Sequence, residues 1–266
     1  MPAAFQWRSI ASRSTLESPH HSETSEPATL KLRTTDISIP HEHAWLYGEL
    51  CHAPDVRGLA VVLRPAGGPF SHSREQTVVH ALQDAGFATL LINLLTAYEE
   101  DRDPDARFNV PLMALRVDSV ADWVRHQPPL EGLSVGLVAS GTACGAAVRS
   151  AARSAERFAA IVCRGGRPDL AGLTPLNTMP LPVRMVVGTL DPHAEMIRQA
   201  FEHFRGPRDW QEVDGADENF EASATLVQFG ALAAEWLQRH LPLPVIREAT
   251  DPRETPGDDP AARDPL

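Results

Sequence analysis

Short apolar runs alternate along the middle of the chain with segments whose apolar positions recur at helical spacing. A buried parallel strand is a continuous apolar run, whereas an amphipathic helix repeats its apolar positions every three to four residues. The runs predict strands over 58–63, 88–95, 134–139, 158–163, 184–190 and 209–213. The helical stripes predict helices over 73–85, 111–126, 142–153, 193–204 and 221–240.

This alternation of strands and helices predicts an α/β fold. Each helix returns the chain to the start of a neighbouring strand, so the sheet is mostly parallel and has helices on both faces. Ahead of it, residues 28–39 alternate between apolar and polar positions, and WLYGEL follows a His/Pro turn, which predicts an antiparallel pair of strands. Ligands bind such sheets at the carboxyl ends of the strands, so we look for chemistry in those loops.

The two ends of the chain differ from this middle part. Residues 1–27 hold six serines and three prolines without an alternating apolar pattern, and residues 242–266 hold six prolines and six acidic residues. Neither segment offers enough apolar surface to offset the entropy of ordering the chain. We therefore expect a single α/β domain over 28–241 between a disordered N-terminal extension and a disordered Pro/acid-rich tail.

Net charge and cysteine usage narrow the function classes. The chain has 266 residues and a net charge of −11, which disfavours nucleic acid and anionic membrane surfaces as partners. No apolar run is long enough to cross a bilayer. Cys51, Cys144 and Cys163 are widely spaced and form no CxxC pair, so we expect reduced, buried thiols in a cytoplasmic protein.

Three sets of loop residues follow predicted strands and are the candidate site. The first is the glycine loop RPAGGPFS that begins at Arg64, and the second is the small-residue turn 139–143. The third combines Asp191 with the loop 215–219. None has the spacing of a phosphate-binding glycine motif or of a metal-ligand set, so we expect no cofactor and no metal. The acidic run from Glu99 to Asp105 is expected to be a solvated loop, with a lid or partner contact as the alternative.

Several segments occur together in a particular order: SIP…LYGEL, DAGFATLLINLLT, GLVASGTACGAA, CRGGRPDLAG, VVGTLD and VDGADENFE. Over about residues 36–241 this order resembles the α/β-hydrolase superfamily, and its dienelactone-hydrolase-like branch in particular. The resemblance implies a G-x-S-x-G nucleophile elbow at the strand–helix turn and a Ser…Asp…His triad in chain order.

Carried over residue by residue, the resemblance matches only part of that triad. Asp191 matches the family acid, while Glu218 stands where the family has histidine. Without a gap, Gly141 stands at the nucleophile position; with one residue deleted, Ser140 does. The resemblance further implies an oxyanion or ligand loop, made by Ala66, Gly67, Gly68 and Thr142.

Other residues near these loops could contribute to a site. His193 lies two positions after Asp191, His72 follows the glycine loop, and Cys144 is on the elbow helix. We favour a structural role for all three, with His193 as a solvated residue at a helix start and Cys144 as a buried packing residue, although His72 lies closest to the presumed site.

The missing histidine separates two classes of function. A carboxylate is a much weaker base than imidazole and cannot become a cation that Asp191 stabilises. The favoured hypothesis is a non-catalytic homologue that binds a small molecule or a protein, with a homo-oligomer as a further alternative. The second is a serine hydrolase acting on a small ester or lactone through Ser140 and a non-standard base.

Overall fold

A computed structural model describes residues 32–70 and 73–244 as eight strands and seven α-helices. The strands lie in one sheet of order β1-β2-β4-β3-β5-β6-β7-β8. β1 and β2 enter antiparallel, and the remaining six strands are parallel to one another. The strands are β1 Arg33–His41, β2 Ala44–His52, β3 Leu59–Arg64, β4 Ala88–Asn93, β5 Val135–Ser140, β6 Ala160–Arg164, β7 Val183–Gly188 and β8 Arg208–Val213.

The helices complete the predicted α/β architecture. They are α1 Glu75–Asp84, α2 Ala97–Arg102, α3 Val110–Arg125, α4 Ala143–Arg153, α5 Leu173–Thr178, α6 Ala194–Glu202 and α7 Ser223–His240. Every strand and helix predicted from the apolar pattern is confirmed, whereas the short helices α2 and α5 were not predicted. Within the described residues, none of the helices combines the length and the apolar character needed to cross a membrane. The predicted extension 1–27, and all of the tail after residue 244, lie outside the described residues.

The two faces of the sheet are covered by different helices. In β3, Leu59, Val61 and Leu63 pack with α3 and α4, while Ala60 and Val62 pack with α1 and α7. Successive side chains of a strand point to opposite faces, so a strand covered on both sides must be apolar throughout. This is why the central strands form continuous apolar runs in the sequence.

The acidic run is only partly the solvated loop that the sequence suggested. Its first residues form α2, where Thr96 and Glu99 make a reciprocal capping box. Glu99 accepts a hydrogen bond of 2.8 Å from Nη1 of the buried Arg116. Glu100 accepts the backbone N–H of Gly67 at 2.9 Å. The prediction was wrong for these two acids because partners distant in sequence turn them towards the domain, while Asp101, Asp103 and Asp105 are exposed.

We predict that Glu99→Gln lowers the free energy of unfolding by about 2 kcal/mol at neutral pH, because it leaves the Arg116 guanidinium buried without its counter-charge. The hydrogen bond from Arg116 lowers the pKa of Glu99 from 4.5 to about 2. A lowered carboxyl pKa contributes stability that is complete above the unfolded value and is lost as pH falls towards the folded value. Wild type and variant should therefore converge between these two pH values in urea titrations. Glu202→Gln, an exposed glutamate at the end of α6, is the control and should show no such convergence.

Candidate functional site

The turn between β5 and α4 places a glycine at its tip. β5 ends at Ser140, Gly141 has a left-handed φ of 56°, and the helix begins at Ala143. Gly141 is the residue at the nucleophile position in the ungapped alignment with the hydrolase elbow, whose nucleophile sits on a strained turn. Ser140 instead belongs to the strand, where it is in register with Arg164 of β6. The left-handed residue of this turn is thus Gly141, and Ser140 precedes it in the strand.

The elbow is tightly packed against the loop that follows β6. A Cβ added to Gly166 would overlap the carbonyl oxygen of Gly141 and would lie 2.8 Å from Sγ of Cys144. The same Gly141 carbonyl accepts the N–H of Arg167 at 3.0 Å. Gly165 and Gly166 both have positive φ, of 50° and 83°. Glycine is thus required at 166, both for the close approach and for the backbone conformation.

The cysteines near the elbow are packing residues. All three cysteines of the chain are buried and free of disulfides, as predicted. Cys144 lies beside Cys163, and its Sγ is 3.6 Å from the carbonyl oxygen of Gly165. The neighbouring Cys144 thiol and complete burial hold the pKa of the Cys163 thiol well above its usual value. A thiol of raised pKa is a poor nucleophile at neutral pH, and Cys144 is fully buried, so neither supplies an alternative to serine.

Asp191, the acid that the resemblance implies, has one carboxylate oxygen without a hydrogen bond among the described residues. Its Oδ1 accepts the backbone N–H of His193 at 2.8 Å. Its Oδ2 is buried and has no hydrogen-bond partner among the described residues. A Cβ placed on Gly165 would be 3.2 Å from this Oδ2 and 3.4 Å from the carbonyl oxygen of Glu218. Asp191 and Glu218 therefore flank Gly165, close to the elbow.

Glu218 and His193 both have exposed side chains. The loop that carries Glu218 is held by Asp217, whose Oδ1 accepts the N–H groups of Asn219 and Glu221 at 3.0 and 3.1 Å. His193 is the residue that precedes α6, as the sequence suggested. His72 lies outside the described residues.

The glycine loop after β3 is held by packing and hydrogen bonds to neighbouring elements. Gly67 packs directly against the backbone of Thr96, and its N–H donates to Glu100 of α2. The carbonyl oxygen of Gly68 accepts hydrogen bonds from Arg64 and from Asn93, at 3.2 and 2.9 Å. Thr142, the fourth residue assigned to this loop by the resemblance, is buried at the start of α4, and its hydroxyl has no partner among the described residues.

These loops border a cleft of about 760 Å³ at the carboxyl edge of the sheet. Five of the eight predicted site residues line it, together with His193: Ala66, Ser140, Gly141, Thr142 and Glu218. Gly67, Gly68 and Asp191 do not line it. The sequence reasoning gave no role to four arginines in its wall, although Arg64 begins the glycine loop: Arg64, Arg74, Arg107 and Arg164. Two of them could have been found, because Arg64 and Arg164 are the last residues of strands β3 and β6.

Among residues 32–70 and 73–244, no three His, Cys, Asp or Glu side chains gather closely enough to hold a metal ion.

Known proteins are similar to this chain in sequence and in fold. No protein-family model matches it. Two Mycobacterium tuberculosis proteins named "putative phosphoribosyl transferase", one from each of two strains, are 35% identical to it over 211 residues, which is 79% of this chain and 47% of theirs. The chain thus spans about half the length of these curated relatives.

The solved structures identify the class of fold. A serine hydrolase homologue from Coxiella burnetii has a TM-score of 0.62 at 17% identity, over 76% of this chain and 97% of its own. The dienelactone hydrolase from Anabaena variabilis has a TM-score of 0.74 at 33% identity, over 79% of this chain and 99% of its own. The fold is that of the α/β hydrolases, as the order of its segments indicated. Within that class, the chain belongs to the dienelactone hydrolase family.

We predict that Gly166→Ala destabilises the protein by about 3 kcal/mol or more, because its methyl group overlaps the elbow and its backbone is left-handed. Gly132→Ala is the matched control, since Gly132 has a similar φ of 78° but no heavy atom near the position of a Cβ. The control substitution should lower the free energy of unfolding by about 1–2 kcal/mol, because it meets only the strain of the left-handed backbone. Equal losses in thermal or urea unfolding would contradict the close packing at the elbow.

Proposed function

We propose that this chain is a non-catalytic member of the dienelactone hydrolase family, which binds a ligand in the cleft at the carboxyl edge of its sheet. The observation that supports this most is the backbone at Gly141. The left-handed turn that presents a nucleophile in this fold carries a residue without a side chain. Ser140, one position earlier, is part of the strand and is half-buried.

The missing base supports the same proposal. Hydrolysis by a serine requires a group that accepts the hydroxyl proton and then returns it to the leaving group. The alignment places Glu218 at the position of this group, and a carboxylate cannot become a cation that Asp191 stabilises. The buried Oδ2 of Asp191 has no hydrogen-bond partner among the described residues, which is consistent with an acid that lacks its histidine. Removal of a single triad member costs about 10⁴-fold or more in rate.

The glycine loop provides a third, independent argument. An oxyanion hole needs N–H groups that are free to bind the developing negative charge. The N–H of Gly67 already donates to the carboxylate of Glu100, which itself lines the cleft. Because the Glu100 carboxylate occupies the N–H of Gly67, this N–H is not free to bind the oxyanion of a reaction intermediate.

Ester hydrolysis through Ser140 is the second candidate function. It is favoured by one observation, since Ser140 and Glu218 border the same cleft. In this alternative, Ser140 attacks a small ester or lactone while a non-standard base accepts its proton.

Phosphoribosyl transfer, the activity in the name of the mycobacterial relatives, is not proposed for this chain. The chain matches less than half of those proteins, and the matched part has the dienelactone hydrolase fold. In addition, the loop RPAGGPFS lacks the glycine spacing of a phosphate-binding loop.

We predict that the protein turns over p-nitrophenyl acetate no faster than its Ser140→Ala variant, because Ser140 has no base to activate it. The measurement is a stopped-flow assay of both proteins, together with fluorophosphonate labelling and mass-spectrometric mapping of the label. A serine-dependent burst, with label on Ser140, would establish the alternative function instead.

The triad can be rebuilt if only the chemistry has been lost. A Cβ at position 141 meets only Cγ of Pro65, at 3.5 Å, so Gly141→Ser fits in space and costs roughly 1–3 kcal/mol of backbone strain. We predict that Ala139→Gly, Gly141→Ser and Glu218→His together raise esterase activity about 10²-fold above the wild type, since a positioned base contributes on this scale.

Two controls separate the alignments of the elbow. Adding Asp191→Ala to the triple variant should abolish the gain, because the new histidine then loses its orienting partner. Glu218→His alone should stay inactive. Activity in that single variant would instead identify Ser140 as a competent nucleophile and contradict the assignment of Gly141 to the elbow tip.

A further inference from the structure

Two arginines and Ser140 form a row across three neighbouring strand ends. Leu63 is in register with Ala139, which brings Arg64 beside Ser140, and Ser140 is in register with Arg164. Val62, Val138 and Val162 precede these three residues by two positions and pack on the face covered by α1 and α7. Side chains two positions apart share a face, so both arginines reach the same side of the sheet.

A single carboxylate holds both arginines of this row. Glu75, the first residue of α1, lies 3.0 Å from Arg164 through Oε1 and 3.5 Å from Nε of Arg64 through Oε2. Arg164 is only 6% exposed and also lies over the ring of Phe229. One negative charge therefore orients two guanidinium groups at the wall of the cleft and leaves the group of three with a net positive charge.

Two further arginines stand at the exposed rim of the cleft. Arg74 donates to the carbonyl oxygen of Asn219 at 3.1 Å, and Arg107 lies against the ring of Phe108. No carboxylate of the described residues forms an ion pair with either arginine. The remaining charged groups of the cleft are Glu100, which is bound to Gly67, and Glu218, which is exposed. Four arginines against three glutamates make this cleft positive in a chain whose net charge is −11.

The number of donors distinguishes between possible anions. Each guanidinium presents five N–H donors in a planar fork, and one such fork satisfies both oxygens of a carboxylate. A phosphate monoester carries a charge close to −2 and three terminal oxygens, which need several guanidinium groups at once. Four arginines around one cleft therefore match a phosphate monoester better than a carboxylate.

The rim also offers a flat apolar surface. Phe108 lines the cleft, and its side chain is 48% exposed. An aromatic side chain beside arginines can stack on a planar ring of a ligand. The cleft volume of about 760 Å³ lies within the range of small-molecule sites.

We propose that the cleft binds a phosphate monoester that carries a planar ring, of about the size of a nucleoside monophosphate. Arg64 and Arg164 form its wall, Arg74 and Arg107 close on the phosphate from the rim, and Phe108 packs on the ring. The inference rests on the proposed ligand-binding function of the same cleft, and it identifies the chemical class of the ligand.

The test is isothermal titration calorimetry with AMP as the probe, alongside ribose 5-phosphate, adenosine and benzoate. AMP should bind to the wild type. Arg74→Gln and Arg107→Gln should each lower the affinity for AMP about tenfold, because each variant loses a charge-assisted contact. Both arginines are exposed, so the variants should keep the melting temperature of the wild type. Arg205→Gln is the matched control, because Arg205 is equally exposed but precedes β8, at the opposite edge of the sheet.

Each probe separates one part of the proposal. Phe108→Ala should lower the affinity for AMP and leave the affinity for ribose 5-phosphate unchanged. Adenosine should bind the wild type at least tenfold more weakly than AMP does. Equal affinity for AMP in the Arg74, Arg107 and Arg205 variants, or no binding of AMP at all, would overturn the inference. Benzoate that binds as tightly as AMP would instead assign the site to carboxylates and overturn it as well.

The same preparations distinguish this inference from the proposed function. Absence of AMP binding in a protein that also lacks Ser140-dependent esterase activity refutes the phosphate ligand and leaves the non-catalytic proposal standing. Esterase activity that disappears in Ser140→Ala refutes the non-catalytic proposal, whatever the outcome of the titration.

Discussion

The close approach of two backbones at the carboxyl edge of the sheet is the constraint on which the site depends. The loop after β6 contacts the tip of the β5–α4 turn so tightly that only glycine fits at position 166. This contact fixes Gly141 in its left-handed conformation, because its carbonyl oxygen accepts the N–H of Arg167. It also positions Gly165 between Asp191 and Glu218. The left-handed turn between β5 and α4 is thus held by backbone packing, independently of any side chain at its tip.

Electrostatic pairing organises the cleft around this backbone. Glu75 pairs with Arg64 and Arg164 on one side, and Glu100 accepts the N–H of Gly67 on the other. Burial lowers the pKa of Arg164, and the adjacent Glu75 opposes that shift. Arginine remains charged even when its pKa falls moderately, so the buried guanidinium needs this carboxylate as its counter-ion. The same pairs that stabilise the fold therefore set the charge of the cleft.

Glu99 and Glu100 show how neighbouring residues of one short helix serve different elements. Glu99 caps α2 and pairs with Arg116 of α3, whereas Glu100 reaches back to the glycine loop after β3. α2 consequently connects the loop to the helical layer and holds the loop against Thr96. In the proposed function this connection has a chemical consequence as well, because it occupies a donor that an oxyanion would need.

Most of the fold could be read from the sequence because its signals are local. A strand buried on both faces must be apolar at every position, and a helix on the sheet must repeat its apolar positions, so neither depends on distant residues. The expected elements at β3, β4, β5, α1 and α7 all correspond to such patterns. The loops that follow these strands were therefore found correctly as the edge where the cleft lies.

The arrangement of charges in the cleft was decided only by the tertiary structure. Arg164 and Glu75 are 89 positions apart, and Gly67 and Glu100 are 33 apart. No periodic pattern relates such pairs. In the sequence, a charged residue that will be paired and buried cannot be distinguished from one that will be solvated, because its partner is distant along the chain. For the same reason the acidic run looked like a surface loop, although Arg116 and Gly67 draw two of its acids inward. The sequence alone determined which elements form and at which loops a site should be sought, because both depend on patterns of neighbouring residues. Only the folded chain determined that the turn at Gly141 is left-handed and that four arginines share one cleft, because both follow from contacts between distant strands.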